Sequence, residues 1–121
     1  MPKKILMVED DEAIAKIVEL ILLDAGFQVR LAGSVSEFSK QFYTYHADLV
    51  ILDIRLPDGD GRDLCRAVKQ DYTSKNIPVI LMSAHIIEKD VLKESGADSF
   101  IAKPFDIDLL LNEVHKQLGL A

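Results

Sequence analysis

The 121-residue sequence has a single cysteine, Cys65. One thiol rules out an internal disulfide framework and fits a reducing compartment. Basic residues are scarce as well: 14 Lys and Arg face 20 Asp and Glu, for a formal charge of −6. That balance argues against direct nucleic-acid binding and against an anionic membrane surface. No apolar run approaches the roughly 18 residues of a membrane span. Lys3 and Lys4 open the chain, but Glu9 follows after only four apolar residues, so no secretory leader is expected. Linkers, repeats and low-complexity segments are missing too. Apolar residues (49%) and charged residues (28%) are mixed as in an ordinary globular domain, so a single unit over residues 1–121 is expected. A chain of this size buries roughly two thirds of its unfolded surface and needs no metal to fold.

The pattern alternates short apolar runs with helical periods. Ile5–Val8, Phe27–Leu31, Leu49–Leu52, Pro78–Met82 and Phe100–Ala102 read as strands. The first, third and fourth are apolar throughout, the mark of strands buried on both faces. Between them, Ile14, Ile17, Val18, Ile21, Leu22 and Ala25 recur at helical spacing, with Gly26 placed for a left-handed cap. Ser34-Val35-Ser36-Glu37 reads as a capping box opening a helix with Val35, Phe38 and Phe42 on its apolar stripe. Pro57-Asp58-Gly59-Asp60-Gly61 reads as a loop, because proline and two glycines stop regular structure. Leu64, Ala67 and Val68 mark a third helix, residues 86–95 a weaker fourth, and Ile107, Leu110, Leu111, Val114 and Leu118 a fifth with Asp106 as N-cap. Five strand–helix units predict an α/β fold: a doubly wound, open parallel sheet with helices on both faces. Ligands of such sheets sit at the carboxyl ends of the strands, where strand order reverses.

Those ends carry Glu9-Asp10-Asp11-Glu12, Asp53, Ser83 and Lys103-Pro104. Carboxylates gathered in a partly dry cleft repel each other until a proton or a cation joins them. An all-oxygen donor set without His or Cys suits Mg²⁺, with Mn²⁺ a substitute. A carboxylate beside such a cation, an ammonium and a hydroxyl is equipped to attack phosphorus. Asp53 is the candidate nucleophile, Lys103 the fixed positive charge and Ser83 the hydrogen-bond donor. Asp11 and Glu12 read as helix N-terminal acids. His46, His85 and His115 have no metal-ligand spacing, the P-loop pattern is absent, and Cys65 reads as a small apolar group of the third helix.

These residues, in this order, closely resemble the receiver (CheY-like) domain of two-component response regulators. Glu9-Asp10 form an acidic pair, and Asp53 follows 43 residues after Asp10. Pro57 and Gly61 match a D-x-x-x-P-x-x-x-G loop. Ser83 lies 30 residues beyond Asp53, and Lys103 another 20 on, after Gly96-Ala97-Asp98 and before Pro104-Phe105. The resemblance runs from about Lys4 to Leu118. It implies a flavodoxin-like (βα)5 sheet with strand order 2-1-3-4-5. Asp53 would be the phosphoacceptor. Glu9, Asp10, Asp53 and the backbone carbonyl of Arg55 would be metal ligands, Asp10 more directly than Glu9, and Lys103 would bond the phosphoryl group. Ser83 would be the hydroxyl that reports phosphorylation and Phe100 the switching aromatic, acting by packing because it lacks the usual tyrosine hydroxyl. The Lys103-Pro104 bond is expected to be cis. Arg55 and His85 would flank the path of the hydrolytic water.

The implied function is a cytoplasmic signalling switch rather than an enzyme. It would take its phosphoryl group from a sensor histidine kinase or a histidine phosphotransfer protein and be read on the face made by the fourth helix, fifth strand and fifth helix. It would be a monomer or a phosphorylation-dependent dimer. No output domain follows Leu120, so the chain is expected to be a free-standing receiver or a piece of a longer regulator or hybrid kinase. Two alternatives remain. An aspartyl-nucleophile phosphohydrolase typically has a second Asp two residues on, where this chain has Arg55. A degenerate receiver serving only as an interaction module, or a flavin protein of the same fold, is the other.

Overall fold

The computed structural model describes residues 2–84 and 89–120. The apolar runs form a five-stranded parallel sheet from β1 (Lys4–Val8), β2 (Gln28–Ala32), β3 (Leu49–Asp53), β4 (Val79–Ser83) and β5 (Ser99–Ala102). Their spatial order is β2-β1-β3-β4-β5, so the chain winds one way from β1 to β2 and the other way from β3 onward. The connections carry α1 (Glu12–Asp24), α2 (Val35–Tyr45), α3 (Gly61–Gln70) and α4 (Lys89–Ser95), and α5 (Ile107–Gln117) follows β5.

Helices on both faces explain why the central strands are apolar at every position. Leu6, Val8, Val50, Leu52, Val79 and Leu81 pack with α2 and α3, and the intervening Ile5, Met7, Leu49, Ile51, Ile80 and Met82 pack with α1 and α5. All twelve are fully buried. Each contributes on the order of 1.5–3 kcal/mol of transfer free energy, an upper estimate against an extended chain.

Local chemistry sets the helix ends. Asp11 caps α1 by accepting from the N–H groups of Ala13 (3.0 Å) and Ile14 (3.1 Å). At its other end Gly26 takes φ 94°. Its N–H donates to the Leu23 carbonyl, and the Phe27 N–H donates to that of Leu22, a Schellman closure. The Phe27 amide is thereby committed to the helix, which is why β2 begins at Gln28 rather than at Phe27. Ser34 Oγ accepts from the Glu37 N–H (3.1 Å) as expected. The return reach of Glu37 goes to the Gly33 N–H instead of that of Ser34.

Several apolar stripes are centred differently from the sequence reading. In α1 the buried line is Ala15, Val18 and Leu22, which leaves Ile17 57% exposed and Ala25 exposed beyond the helix. In α3 the line runs through Cys65 and Val68, and Ala67 faces solvent. Ile107 of α5 is 54% exposed, while Leu110 and Val114 are buried. The segment Pro57–Gly61 is not wholly loop. Gly59–Asp60 pairs antiparallel with Arg55–Leu56, and Gly61 is already the first residue of α3. Of the expected helix over 86–95, Lys89–Ser95 is helical, and 86–88 lie outside the described residues.

Candidate functional site

Sheet register brings the strand ends level. Val8 stands opposite Leu52, Asp53 opposite Met82, and Ser83 opposite Ala102, so Glu9, Asp53, Ser83 and Lys103 fall along one edge. Backbone bonds extend the ladder past the strands: the Glu9 N–H donates to the Ala32 carbonyl (3.0 Å) and the Lys103 N–H to the Ser83 carbonyl (2.8 Å). Residues 94 positions apart in the chain therefore meet. The Lys103 Nζ donates to Glu9 Oε1 at 2.5 Å and to Asp53 Oδ2 at 3.0 Å.

The pocket is acidic and partly dry. Glu9 is 3% exposed, Asp53 7% and Ser83 2%, whereas Asp10 faces solvent. One carboxylate oxygen from each of Glu9, Asp10 and Asp53 lies within 4.8 Å of the others. Burial, and then the neighbouring Asp53 carboxyl, push the Glu9 carboxyl up to about 8. Burial alone would lower the Lys103 ammonium, but its bonds to Glu9 and Asp53 outweigh that and hold it above the ordinary lysine value. Three acids and one lysine remain short of positive charge. Glu9 Oε2 is buried and has no hydrogen-bond partner among the described residues. A buried oxygen without a donor is costly, and a hard cation bound by oxygen would relieve it. The donor set thus fits Mg²⁺ and Mn²⁺ and does not fit a thiolate- or imidazole-seeking metal.

The turn after Asp53 forms the floor. The Gly61 N–H donates to the Ile54 carbonyl at 2.8 Å and closes it. A Cβ on Gly61 would stand 2.1 Å from the Asp53 carbonyl oxygen, so the start of α3 approaches β3 as only glycine allows. Asp60 caps α3 through the Arg62 N–H (2.8 Å) and holds the Arg62 guanidinium at 2.6 Å.

The expected site residues divide as follows. Glu9, Asp10, Asp53 and Lys103 come together, with Ser83 buried at the end of the neighbouring strand. Arg55 lies in the turn with its side chain exposed and its N–H 3.4 Å from Asp53 Oδ1. Phe100 is half-buried on β5 and packs against the core under α2 and α3. The Lys103-Pro104 bond is cis. His85 lies outside the described residues. Two features escaped the sequence reading. An apolar patch of Ile14, Ile17, Ala84, Pro104 and Phe105 borders Lys103. Asp58, read only as a turn residue, bonds the first turn of α2.

Comparisons with known proteins bear on the family and the fold. Residues 5–115 match the family described as the response regulator receiver domain. The chain is 37% identical, over 98% of its length, to the transcriptional regulatory protein GltR of Pseudomonas aeruginosa, and covers 50% of that protein. It spans about half the length of the curated relatives it matches. Among solved structures it resembles the receiver domain of a signal transduction histidine kinase from Syntrophus aciditrophicus (34% identity, TM-score 0.89, covering 97% of this chain and 90% of that one). It also resembles the chemotaxis response regulator CheY4 of Vibrio cholerae (26% identity, TM-score 0.90, covering 97% and 99%).

Proposed function

The chain belongs to the response regulator receiver domain family of two-component systems, and on that premise we propose that it is a phosphoacceptor switch whose covalent chemistry occurs at Asp53. The observation that carries this is the Lys103 ammonium bonded at once to Glu9 and Asp53 in a pocket with an unpartnered carboxylate oxygen. Asp53 would attack the phosphorus of a phosphohistidine. A P–O bond forms, the P–N bond breaks, and the electron pair leaves on the imidazole nitrogen, which takes up a proton. Glu9, Asp10, Asp53 and the Arg55 carbonyl would hold Mg²⁺, or Mn²⁺ in its place. When bound, the cation supplies positive charge for the phosphoryl oxygens. Lys103 supplies the same from the protein side, and the Ser83 hydroxyl bonds the transferred group. The protein is then a self-assisting acceptor rather than a multi-substrate catalyst. The test is intact-mass measurement after incubation with a small acyl phosphate and MgCl₂. One added phosphoryl group is expected, and none would refute the assignment.

The added charge, about −1.5 to −2, draws Ser83 toward Asp53, and Phe100 repacks into the vacated space. The signal would be read on the α4-β5-α5 face. Phosphorylation biases two pre-existing arrangements, and a near-complete shift needs roughly 5.5 kcal/mol of differential stabilisation.

The donor would be a histidine kinase or histidine phosphotransfer protein covering the patch beside Lys103. Ile17, at 57% exposure, stands on that patch with Pro104 and Phe105. Ile17→Asp is expected to slow transfer from a protein donor by about tenfold, the scale of one lost apolar anchor. Transfer from a small acyl phosphate should be unchanged. Equal slowing with both donors would place Ile17 in folding rather than docking.

Mg²⁺ binding should depend on pH in a defined direction. The cation needs ionised Glu9, whose carboxyl is raised to about 8 in the metal-free pocket. Below that value binding must release a proton, so apparent affinity should fall about tenfold for each pH unit lost. The same raised value means that, without metal, Glu9 favours folding most below its usual 4.5 and progressively less as pH climbs to about 8. Calorimetric titration with MgCl₂ across this range checks the slope. A flat profile would show that Glu9 is already ionised in the metal-free protein.

A further inference from the structure

The turn between β3 and α3 is tied to the start of α2, the end of that helix away from its connection into β3. The Asp58 carboxylate accepts from the Val35 N–H through Oδ1 (2.7 Å) and from the Ser36 N–H through Oδ2 (3.0 Å). Both amides belong to the first turn of α2, where four N–H groups lack intrahelical partners. A third, that of Glu37, donates to Ser34 Oγ, and the Phe38 N–H makes the first intrahelical bond, to the Ser34 carbonyl. The local cap thus serves one of these amides, and a residue 23 positions away serves two. The turn is packed there as well as bonded: a Cβ on Gly59 would meet Val35 Cγ2 at 2.8 Å. Both amides hold the Asp58 carboxyl below its usual value, so the tie carries a full negative charge at the positive end of the helix.

The tie matters because of what it spans. Pro57, Asp58 and Gly59 are exposed, and the turn has only a two-residue ladder of its own. Such a segment belongs to the low-stability end of a fold unless something holds it. Its base is fixed by the Gly61 to Ile54 bond, and its tip by the two Asp58 bonds together with the contact of Gly59 with Val35. The first turn of α2 is itself close to the pocket, because Ala32, three residues before Val35, accepts the Glu9 N–H. A cleft beside Glu9 and Asp10 has Ala32 and Gly33 on one wall and Pro57 on another. Asp58 therefore closes a ring that runs from Glu9 through Ala32 to α2, across to the turn, and back through Arg55 to Asp53.

We propose that Asp58 is a positioning residue for the cation pocket: it fixes the turn that presents the Arg55 backbone beside Asp53. The inference rests on the reading of the pocket as a Mg²⁺ site. It is separable from α2 stability, because Ser34→Ala removes a cap from the same helix without touching the turn. Two readouts decide it. Titration with MgCl₂ should show about a tenfold loss of affinity in Asp58→Ala, the scale of losing a group that orients a ligand. In the metal-free protein, the Gly61 amide should exchange with solvent faster in Asp58→Ala than in the native chain. Ser34→Ala should match the native chain in both, and Asp58→Asn, with one acceptor oxygen left, should fall between. Native values for both readouts in Asp58→Ala, or equal losses in Ser34→Ala, overturn the proposal. If Asp58→Ala does not fold, Asp58→Asn decides on the same terms, and a native-like Asp58→Asn counts against it. If the native chain takes up no Mg²⁺, the pocket reading fails, and Gly61 exchange still decides whether Asp58 holds the turn.

Discussion

Asp53→Asn is expected to abolish phosphoryl uptake while leaving a folded protein. The substitution is nearly isosteric and keeps an oxygen where Lys103 Nζ now donates to Oδ2 at 3.0 Å. It removes the one property the reaction needs, an anionic oxygen able to attack phosphorus, since a neutral amide is a very poor nucleophile. The electrostatics should tolerate the change. Glu9 is raised partly by its neighbour Asp53, so a neutral residue 53 leaves Lys103 to pair with Glu9 alone, in a pocket with one buried charge fewer. Stability should hold or rise slightly, and the intact mass after treatment with acyl phosphate and MgCl₂ should stay at the unmodified value. Labelling of the Asn variant to the native extent would move the acceptor to another carboxylate, with Asp10 the exposed candidate in the same cluster.

The parts of this site differ in how legible they were. Apolar runs as short as those in β1, β3 and β4, alternating with helical periods, read as strands covered on both faces, and the parallel sheet with its chemical edge follows from that pattern. Spacing then put Asp53 and Lys103 at that edge. Spacing alone does not tell Glu9 from Asp10, and only the family resemblance makes Asp10 the more direct metal ligand. The structure buries the first against Lys103 and leaves the second in solvent. Stripe centring failed at Ile17 and Ile107 for a related reason. Where a helix has apolar residues on its shoulders as well as its buried line, period alone fits several faces, and the partner surface decides. The exposed Ile17 was misread as core when it lies on the patch beside Lys103. Asp58 was invisible for a third reason: its partners are backbone amides 23 and 22 positions away, and backbone groups leave no trace in composition.

Gly61→Ala should be among the most damaging single changes outside the reacting groups, and propensity alone would give the opposite sign. Gly61 opens α3, and alanine is favoured over glycine in a helix by up to about 1 kcal/mol. Space decides against it. The new Cβ would lie 2.1 Å from the Asp53 carbonyl oxygen, 2.9 Å from its carbon and 3.1 Å from Ile54 Cα, all backbone atoms that cannot rotate away. Either α3 or the end of β3 must retreat, and retreat pulls on the Gly61 to Ile54 bond and on the backbone that carries Asp53. Overpacking against fixed atoms costs about 1–3 kcal/mol and sometimes more, a large part of the roughly 5–15 kcal/mol that holds a domain together. Gly26→Ala is the informative control. Its backbone sits at φ 94°, but beyond its chain neighbours no atom of the described residues lies within 4 Å of the added methyl, so it carries conformational strain without a clash. Urea unfolding should show a loss of stability in both variants. Only Gly61→Ala should also slow phosphoryl uptake in the molecules that remain folded, because only there does the added carbon displace the residue that reacts. A Gly61→Ala protein as stable and as readily labelled as the native chain would mean that the close approach of α3 to β3 has no part in holding Asp53 in place.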